Sequence, residues 1–457
     1  MKNKDKSRNR LQDFLKNPAK GLWTLALPMM AGMGVHIMYT IVDMLFIGRL
    51  GGNAIAAVAF NMPLFFFVLG LTFGLGSGVT ASIARFIGSR QKNEADNCAE
   101  HAIFIGAIIS VILTAIGLMK GREILLFLGA PDYILSMSWG YLKITCFGLP
   151  CMVFSGFFRS ILSGEGDMKL PMLISAFGTV LNIILDPIFI FKLNFGVQGA
   201  AIATTISQVV VCCIFIYMLF VKKHTYIQFR MRNFTFSRNI IVDIFRIGIP
   251  ASLSMIIMSF GQLIFNKILT IYSISAVAAY QIGGRIDMVI LLPIMSIAAA
   301  LTTLVGMFYG ANENKQFLFI IKYGISRAVI ITLIGAISLF LLAPAIIHVF
   351  SSDPVIQKIT VFYIRCISFI YPFVAIGMSS GRILQGMGKG LPFLVITSIR
   401  ILLVSAPLAF YFSAILGKPV QYVWYSMMIS SIVATSVAVI WLVRTIKLHF
   451  KIQIKPK

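Results

Sequence analysis

The chain has 457 residues, of which 58% are hydrophobic and 12% charged, with a mean hydropathy of +0.92. A soluble chain carries about a quarter charged residues, so this composition excludes a soluble enzyme or binding domain and places the protein in a bilayer. The net charge of +24 does not indicate nucleic acid as a partner, because the basic residues gather at the chain ends and in alternate connections.

Residues 1–20 form a polar tail with seven basic side chains (Lys2, Lys4, Lys6, Arg8, Arg10, Lys16, Lys20). The apolar run that follows, 21–47, is too long for a signal-peptide core and lacks a small-residue cleavage pattern, so it reads as a retained first helix. Further apolar runs predict spans at 54–83, 100–119, 134–160, 170–191 and 198–221. A second set follows at 240–269, 276–305, 318–341, 356–380, 392–413 and 420–445. The expected fold is an all-α membrane protein of twelve transmembrane helices. An N-lobe (21–221) and a C-lobe (240–445) surround a central cavity, joined by a linker (222–239) and ending in a basic tail (446–457). Six basic residues lie between Lys222 and Arg246 and five between Arg444 and Lys457, while Arg159 and Lys169 group with Arg85, Arg90 and Lys92 as connection charges. The positive-inside rule then puts both termini and the linker on the cytoplasmic side of a plasma (bacterial inner) membrane. Six cysteines show no metal or disulfide spacing and read as packing residues.

The halves match each other. Pro28 and Pro250, Gly88 and Gly310, Pro150 and Pro372, Gly164 and Gly386, and Gly166 and Gly388 all stand 222 residues apart. Six spans return the chain to its starting side, so the copies are parallel repeats related by an axis along the membrane normal. Gly70, Gly74 and Gly78 recur every four residues, a pattern for close helix packing.

Few acids fall within the spans, and each costs at least about 2.5–3.5 kcal/mol there unless partnered or functional. Asp186 has Asn182 one turn earlier and Pro187 after it, and the proline leaves the Ile183 carbonyl without its usual donor. These oxygens suit Na⁺ or a proton with water; alternatively they are a structural pair holding a kink. Thr204 and Thr205 in the next span can add a hydroxyl or simply bond to their own helix. Asp43 lies in the first span, with Tyr39 and His36 four and seven residues earlier on a shared face. Asp43 is either part of the same site or an acid near the span's outer end. Tyr39 either tunes it or anchors the interface, and His36 either supports the cavity or packs. The acids are not repeated: Asp186-Pro187 corresponds to Ala406-Pro407, and Asn182 to Leu402. In the second half Arg285 and Asp287 read as a local pair facing the cavity, a bridge to Asp43, or a pair at the cytoplasmic mouth. No phosphate-binding loop, HExxH, nucleophile elbow or Cys/His cluster occurs, so neither an enzyme nor a cofactor is expected.

The segments "ALPMMAGMGVHIMYTIVDMLFIGRLGGNAIAAV", "FIGSRQKNEA", "SGEGDMKLPML" and "LNIILDPIFIF" resemble the multidrug and toxic compound extrusion (MATE) family, in its prokaryotic DinF-like branch. The resemblance covers everything after the N-terminal tail. It implies a secondary transporter exporting cationic or amphipathic drugs in exchange for H⁺ or Na⁺, with an ion site at Asp43, Asn182, Asp186 and Thr204 and Tyr39 nearby. A monomer is expected, with lobes that rock while the first helix bends near Pro28. Coupling through C-lobe acids is not expected, since the tenth span has none and the seventh only Asp243 at its start. The competing readings are a lipid or lipid-linked oligosaccharide flippase, which would show basic cavity residues, and a non-transporting scaffold, which would leave Asp186 facing lipid.

Overall fold

Hydrocarbon offers the backbone no hydrogen-bond partners, so each apolar run closes its own bonds as a helix. The computed structural model describes residues 4–229 and 234–454, with side chains over 10–38, 40–229 and 234–451. A short helix α1 (Lys4–Lys16) precedes twelve helices long and apolar enough to cross a membrane. The first six are α2 (Pro18–Gly48), α3 (Gly52–Gly88), α4 (Lys92–Phe127), α5 (Asp132–Gly164), α6 (Lys169–Lys192) and α7 (Gly196–Val221). The second six are α8 (Arg238–Thr270), α9 (Ile274–Gly310), α10 (Asn314–Phe350), α11 (Pro354–Gly386), α12 (Leu391–Ile415) and α13 (Gln421–Ile454). Several overrun the apolar runs because polar turns continue them into water; α4 starts at Lys92, where Lys92 and Asp96 pair at 2.8 Å one turn apart.

The repeat is visible in the backbone. The bounds of α3 and α9, and of α5 and α11, are 222 residues apart. After α5 and α11 the chain turns through Gly166 (φ +80°) and Gly388 (φ +87°), a left-handed conformation that favours glycine. Phe14 packs where a Gly166 side chain would stand, and the Arg85 guanidinium does so at Gly388.

Twelve spans bring the chain ends and the linker to one side, here termed the tail side. There the two lobes meet. The glycine stripe of α3 lies against α8, Gly74 on Ser252 and Gly78 on Ile244 and Gly248, so the backbones touch. Nearer the helix ends, Gly88 lies on Met307 and Gly310 on Arg85, the Arg85 guanidinium bridges to Asp243 (3.2 Å), and Thr303 donates to the Ser163 carbonyl (3.0 Å). On the far side the lobes part: Phe65, Phe66 and Phe67 of α3 are 39–52% exposed, and three consecutive residues span about 200° of a helix. The molecule is therefore sealed toward the tail side and open toward the far side.

The tail-side ends are strapped down. Part of the predicted basic tail is the helix α1, whose Leu11 and Phe14 are buried in the core that spans the seam and whose Arg10 pairs with Asp167 (2.8 Å). The linker is tied to the N-lobe: Glu165 accepts from the Thr225 hydroxyl and from the Tyr226 and Ile227 amides, Asp96 from the Gln228 amide (3.0 Å), and His101 Nε2 from the Ser237 amide (3.0 Å).

Candidate cation site

The far-side half of the N-lobe holds the acid pair. Asp186 is fully buried at the end of the α-helical part of α6, where Pro187 hands over to a π-turn at Ile188–Lys192. Proline removes one donor and the wider turn rearranges the next, which opens the helix beside a carboxylate. Asn182, 3% exposed, lies one turn earlier. With its amide oriented to satisfy both ends, its nitrogen donates to Asp186 Oδ2 (3.2 Å) and its oxygen accepts from the Thr204 amide (3.1 Å). Asp43 comes from α2, on the other side of the site, and its carboxyl meets that of Asp186 within hydrogen-bonding reach. Asp43 Oδ1 is buried with no donor among the described residues. Two carboxyls, an amide and a threonine therefore converge in a low-dielectric pocket, where two adjacent negative charges repel strongly and a proton or small cation between them relieves the repulsion.

Asp43, Asn182, Asp186 and Thr204 are thus brought together. Thr205 turns elsewhere, donating to the Ile144 carbonyl (3.3 Å). The side chain of Tyr39 lies outside the described residues. His36 lies two turns from Asp43 toward the tail side, near enough to Arg159 to feel its charge. Tyr141 of α5 stands where both carboxylate charges act on it; an aromatic in an apolar span gives no sequence signal for that position.

In the C-lobe, Asp287 bonds neither to Arg285 nor to Asp43. Its Oδ2 accepts from the Tyr363 hydroxyl (2.5 Å) and its Oδ1 from the Tyr371 hydroxyl, with Tyr280 and Trp424 packed alongside. Arg285 is exposed, since residues two apart point to different faces of a helix. Arg159, grouped above with connection charges, is inside α5: it donates to Ser175 (3.1 Å), lies over the Phe73 ring (5.7 Å) and has no acidic partner within 4 Å among the described residues. Arg382 in α11 donates to Gln385 (3.0 Å) and lies over Phe393 (5.0 Å). Arg400 stands in the π-turn Ile399–Leu403 near Tyr280. Both Arg159 Nε and Arg382 Nε are buried without a partner among the described residues.

A repeated bundle with an acid pair confined to one lobe defines an integral membrane transporter. The MatE family model matches the chain twice, over 28–188 and 250–411, its two starting points 222 residues apart, and the chain belongs to this family. It is 30% identical over 395 residues to the probable multidrug resistance protein NorM of Thermotoga maritima, covering 86% of this chain and 85% of that one. Its fold superposes on a crystal structure of MATE in the bent conformation with a TM-score of 0.93, at 32% identity over 98% of this chain and 99% of that chain. It also superposes on a MOP-superfamily transporter from Pyrococcus furiosus, whose binding pocket of reverse polarity suggests a different function (TM-score 0.89, 33% identity, 94% of this chain and 96% of that chain).

Proposed function

We propose that this chain is a secondary active exporter that exchanges H⁺ or Na⁺ for cationic, amphipathic drugs by alternating access. The observation that carries this reading is the pair of half-buried Asp43 and buried Asp186 in one lobe of a bundle sealed on one side and open on the other. With the tail side taken as the cytoplasm, from the positive-inside distribution, the structure is outward-facing. An ion arriving from outside neutralises the pair and removes the field that holds a cationic drug, so drug leaves as ion binds. The loaded lobe no longer carries two bare charges, which favours the state closed to the outside. Differential binding to the two states makes the exchange directional. Asn182 and Thr204 hold Asp186 in position, and the π-turn after Pro187 lets the site change shape without breaking the helix. The cytoplasmic seam must open during the cycle. Its contacts are close-packed glycine backbones, an apolar core that includes Leu11 and Phe14, the Thr303–Ser163 hydrogen bond and one half-exposed ion pair, so separating these contacts strands no buried charge. The protein acts as a monomer in the bacterial inner membrane, with no resident cofactor.

The test is ethidium efflux from inverted vesicles or depleted cells, driven separately by proton and sodium gradients. Efflux driven by one gradient and lost in an Asp43→Asn, Asp186→Asn double variant supports the reading; unchanged efflux in that variant refutes it. The flippase reading is favoured by Arg159, Arg382 and Arg400, three cations inside spans that suit a phosphate-bearing amphiphile. It predicts phosphate-dependent binding lost in Arg159→Gln and Arg382→Gln, and no gradient-driven ethidium efflux. A scaffold is disfavoured because Asp186 faces the protein interior.

A further inference from the structure

A second feature lies at the far end of the C-lobe, away from the acid pair. Between α10, α11 and α13 is a cavity of about 490 Å³ whose lining contains two cations, Lys358 and Arg365, and no acid. Neither cation forms an ion pair among the described residues. Arg365 is exposed and lies eleven residues into α11, about 16 Å from its end, with its guanidinium over the Phe340 ring at 5.4 Å. An exposed arginine at that depth in a spanning helix requires an anion or a route to the headgroup layer.

The cavity offers more than charge. Trp424 on its wall is fully buried, yet its Nε1 donor has no partner among the described residues, and neither does the buried Oε1 of Gln421. A buried indole N–H without an acceptor is costly and unusual. The first turns of α11 and α13, from Pro354 and Gln421, also border the cavity, although the N-terminus of α11 is already capped by Asp353, whose carboxylate accepts from the Val355 and Ile356 amides (2.7 and 3.4 Å). Beside it, Leu341, Leu342, Val349 and Phe350 of α10 are 52–84% exposed, an apolar strip along the same helix. The lobes meet chiefly where α2 and α3 pack on α8 and α9; α10 and α11 also touch α2 and α3, as where Trp23 donates to the Tyr323 hydroxyl (3.1 Å), but no residue of the cavity lining is at that contact.

We propose that this cavity binds the headgroup of an anionic phospholipid. The phosphate sits between Lys358 and Arg365, while an acyl chain lies on the exposed strip of α10. A zwitterionic headgroup fits less well, because its ammonium would enter a site that already holds two unpaired cations. This inference is independent of the drug-export reading and requires only that the chain spans a bilayer.

The experiment is native mass spectrometry of the purified full chain with equimolar phosphatidylglycerol and phosphatidylcholine, with glycerol 3-phosphate as the soluble phosphate. Wild type is expected to retain phosphatidylglycerol at least about tenfold over phosphatidylcholine. Lys358→Ala, Arg365→Ala is expected to bring that preference to within about twofold. Lys358→Ala, an exposed change that leaves the core intact, is expected to lower it with an unchanged Tm in lipid-free detergent. An undiminished preference in the double variant overturns the proposal, as does absence of any preference in wild type. Displacement of the lipid by glycerol 3-phosphate at equal concentration would make this a soluble-anion site and would also overturn it.

Discussion

Gly78 sits where α3 and α8 touch on the tail side, and replacing it with alanine perturbs the cycle in a direction that can be worked out. The added methyl would stand 3.1 Å from the Ile244 carbonyl carbon, closer still to its oxygen, and 3.2 Å from the Gly248 nitrogen. All three are backbone atoms, so no side chain can rotate away and the helices must separate. Overpacking of this kind costs about 1–3 kcal/mol, charged only to the state in which the seam is closed. The equilibrium between tail-closed and tail-open states should therefore shift roughly 5- to 150-fold toward opening. Global stability moves the other way, since alanine is favoured over glycine in a helix by about 0.5–1 kcal/mol. Spin labels at Ser89 in the N-lobe and Lys315 in the C-lobe, on a background lacking the native cysteines, would report this by pulsed dipolar spectroscopy. A new or enlarged long-distance population in Gly78→Ala is expected. The wild-type distribution unchanged in the variant would refute the view that glycine contact holds the seam.

Other changes follow from the same packing. Phe14→Ala removes a phenyl that is 6% exposed in the seam; core phenylalanines cost about 3–5 kcal/mol on such truncation, so Tm should fall and the same spin-label distance lengthen. Asp243→Asn should do much less, because Arg85–Asp243 is half-exposed and such pairs contribute about 0.2–1 kcal/mol; added salt should abolish the difference from wild type. Glu165→Gln should expose the linker to protease by leaving donors unmatched, at about 1–3 kcal/mol. Burial pushes the Glu165 carboxyl above its ordinary range against three hydrogen bonds that lower it, so the native state binds the proton more tightly than the unfolded chain. Stability from this group is thus present at low pH and lost as pH rises through the native value, which linker proteolysis across pH would show. Asp287→Asn should lower Tm while leaving the dependence of efflux on the ion gradient unchanged, since the acid pair is in the other lobe.

The twelve spans and the repeat were legible because hydrocarbon imposes length and helical closure on every apolar run, and because paired prolines and glycines keep a constant offset. Asn182, Asp186 and Thr204 were legible for a related reason: a polar group within an apolar run needs partners, and those partners lie one turn away or on the next span. The meeting of Asp43 with Asp186 depends on how α2 crosses α6, which local spacing does not encode. Asp287 shows the limit more sharply. Its partners, Tyr363 and Tyr371, are 76 and 84 residues away, whereas the nearby Arg285 is turned to another face. Arg159 was masked by the turn that follows it, where loop charges are expected. The helix α1 was obscured by its basic residues, although Leu11 and Phe14, three apart, already share one side of it.

On the proposed mechanism the acid pair is shared in turn by ion and drug. The most direct test is to add ethidium to purified, ion-loaded protein in weakly buffered detergent and to follow proton release with an indicator dye and sodium release with an ion-selective electrode. About one cation is expected to be released per drug bound in wild type and none in Asp43→Asn, Asp186→Asn. Drug binding with no release of either ion from wild type would contradict it.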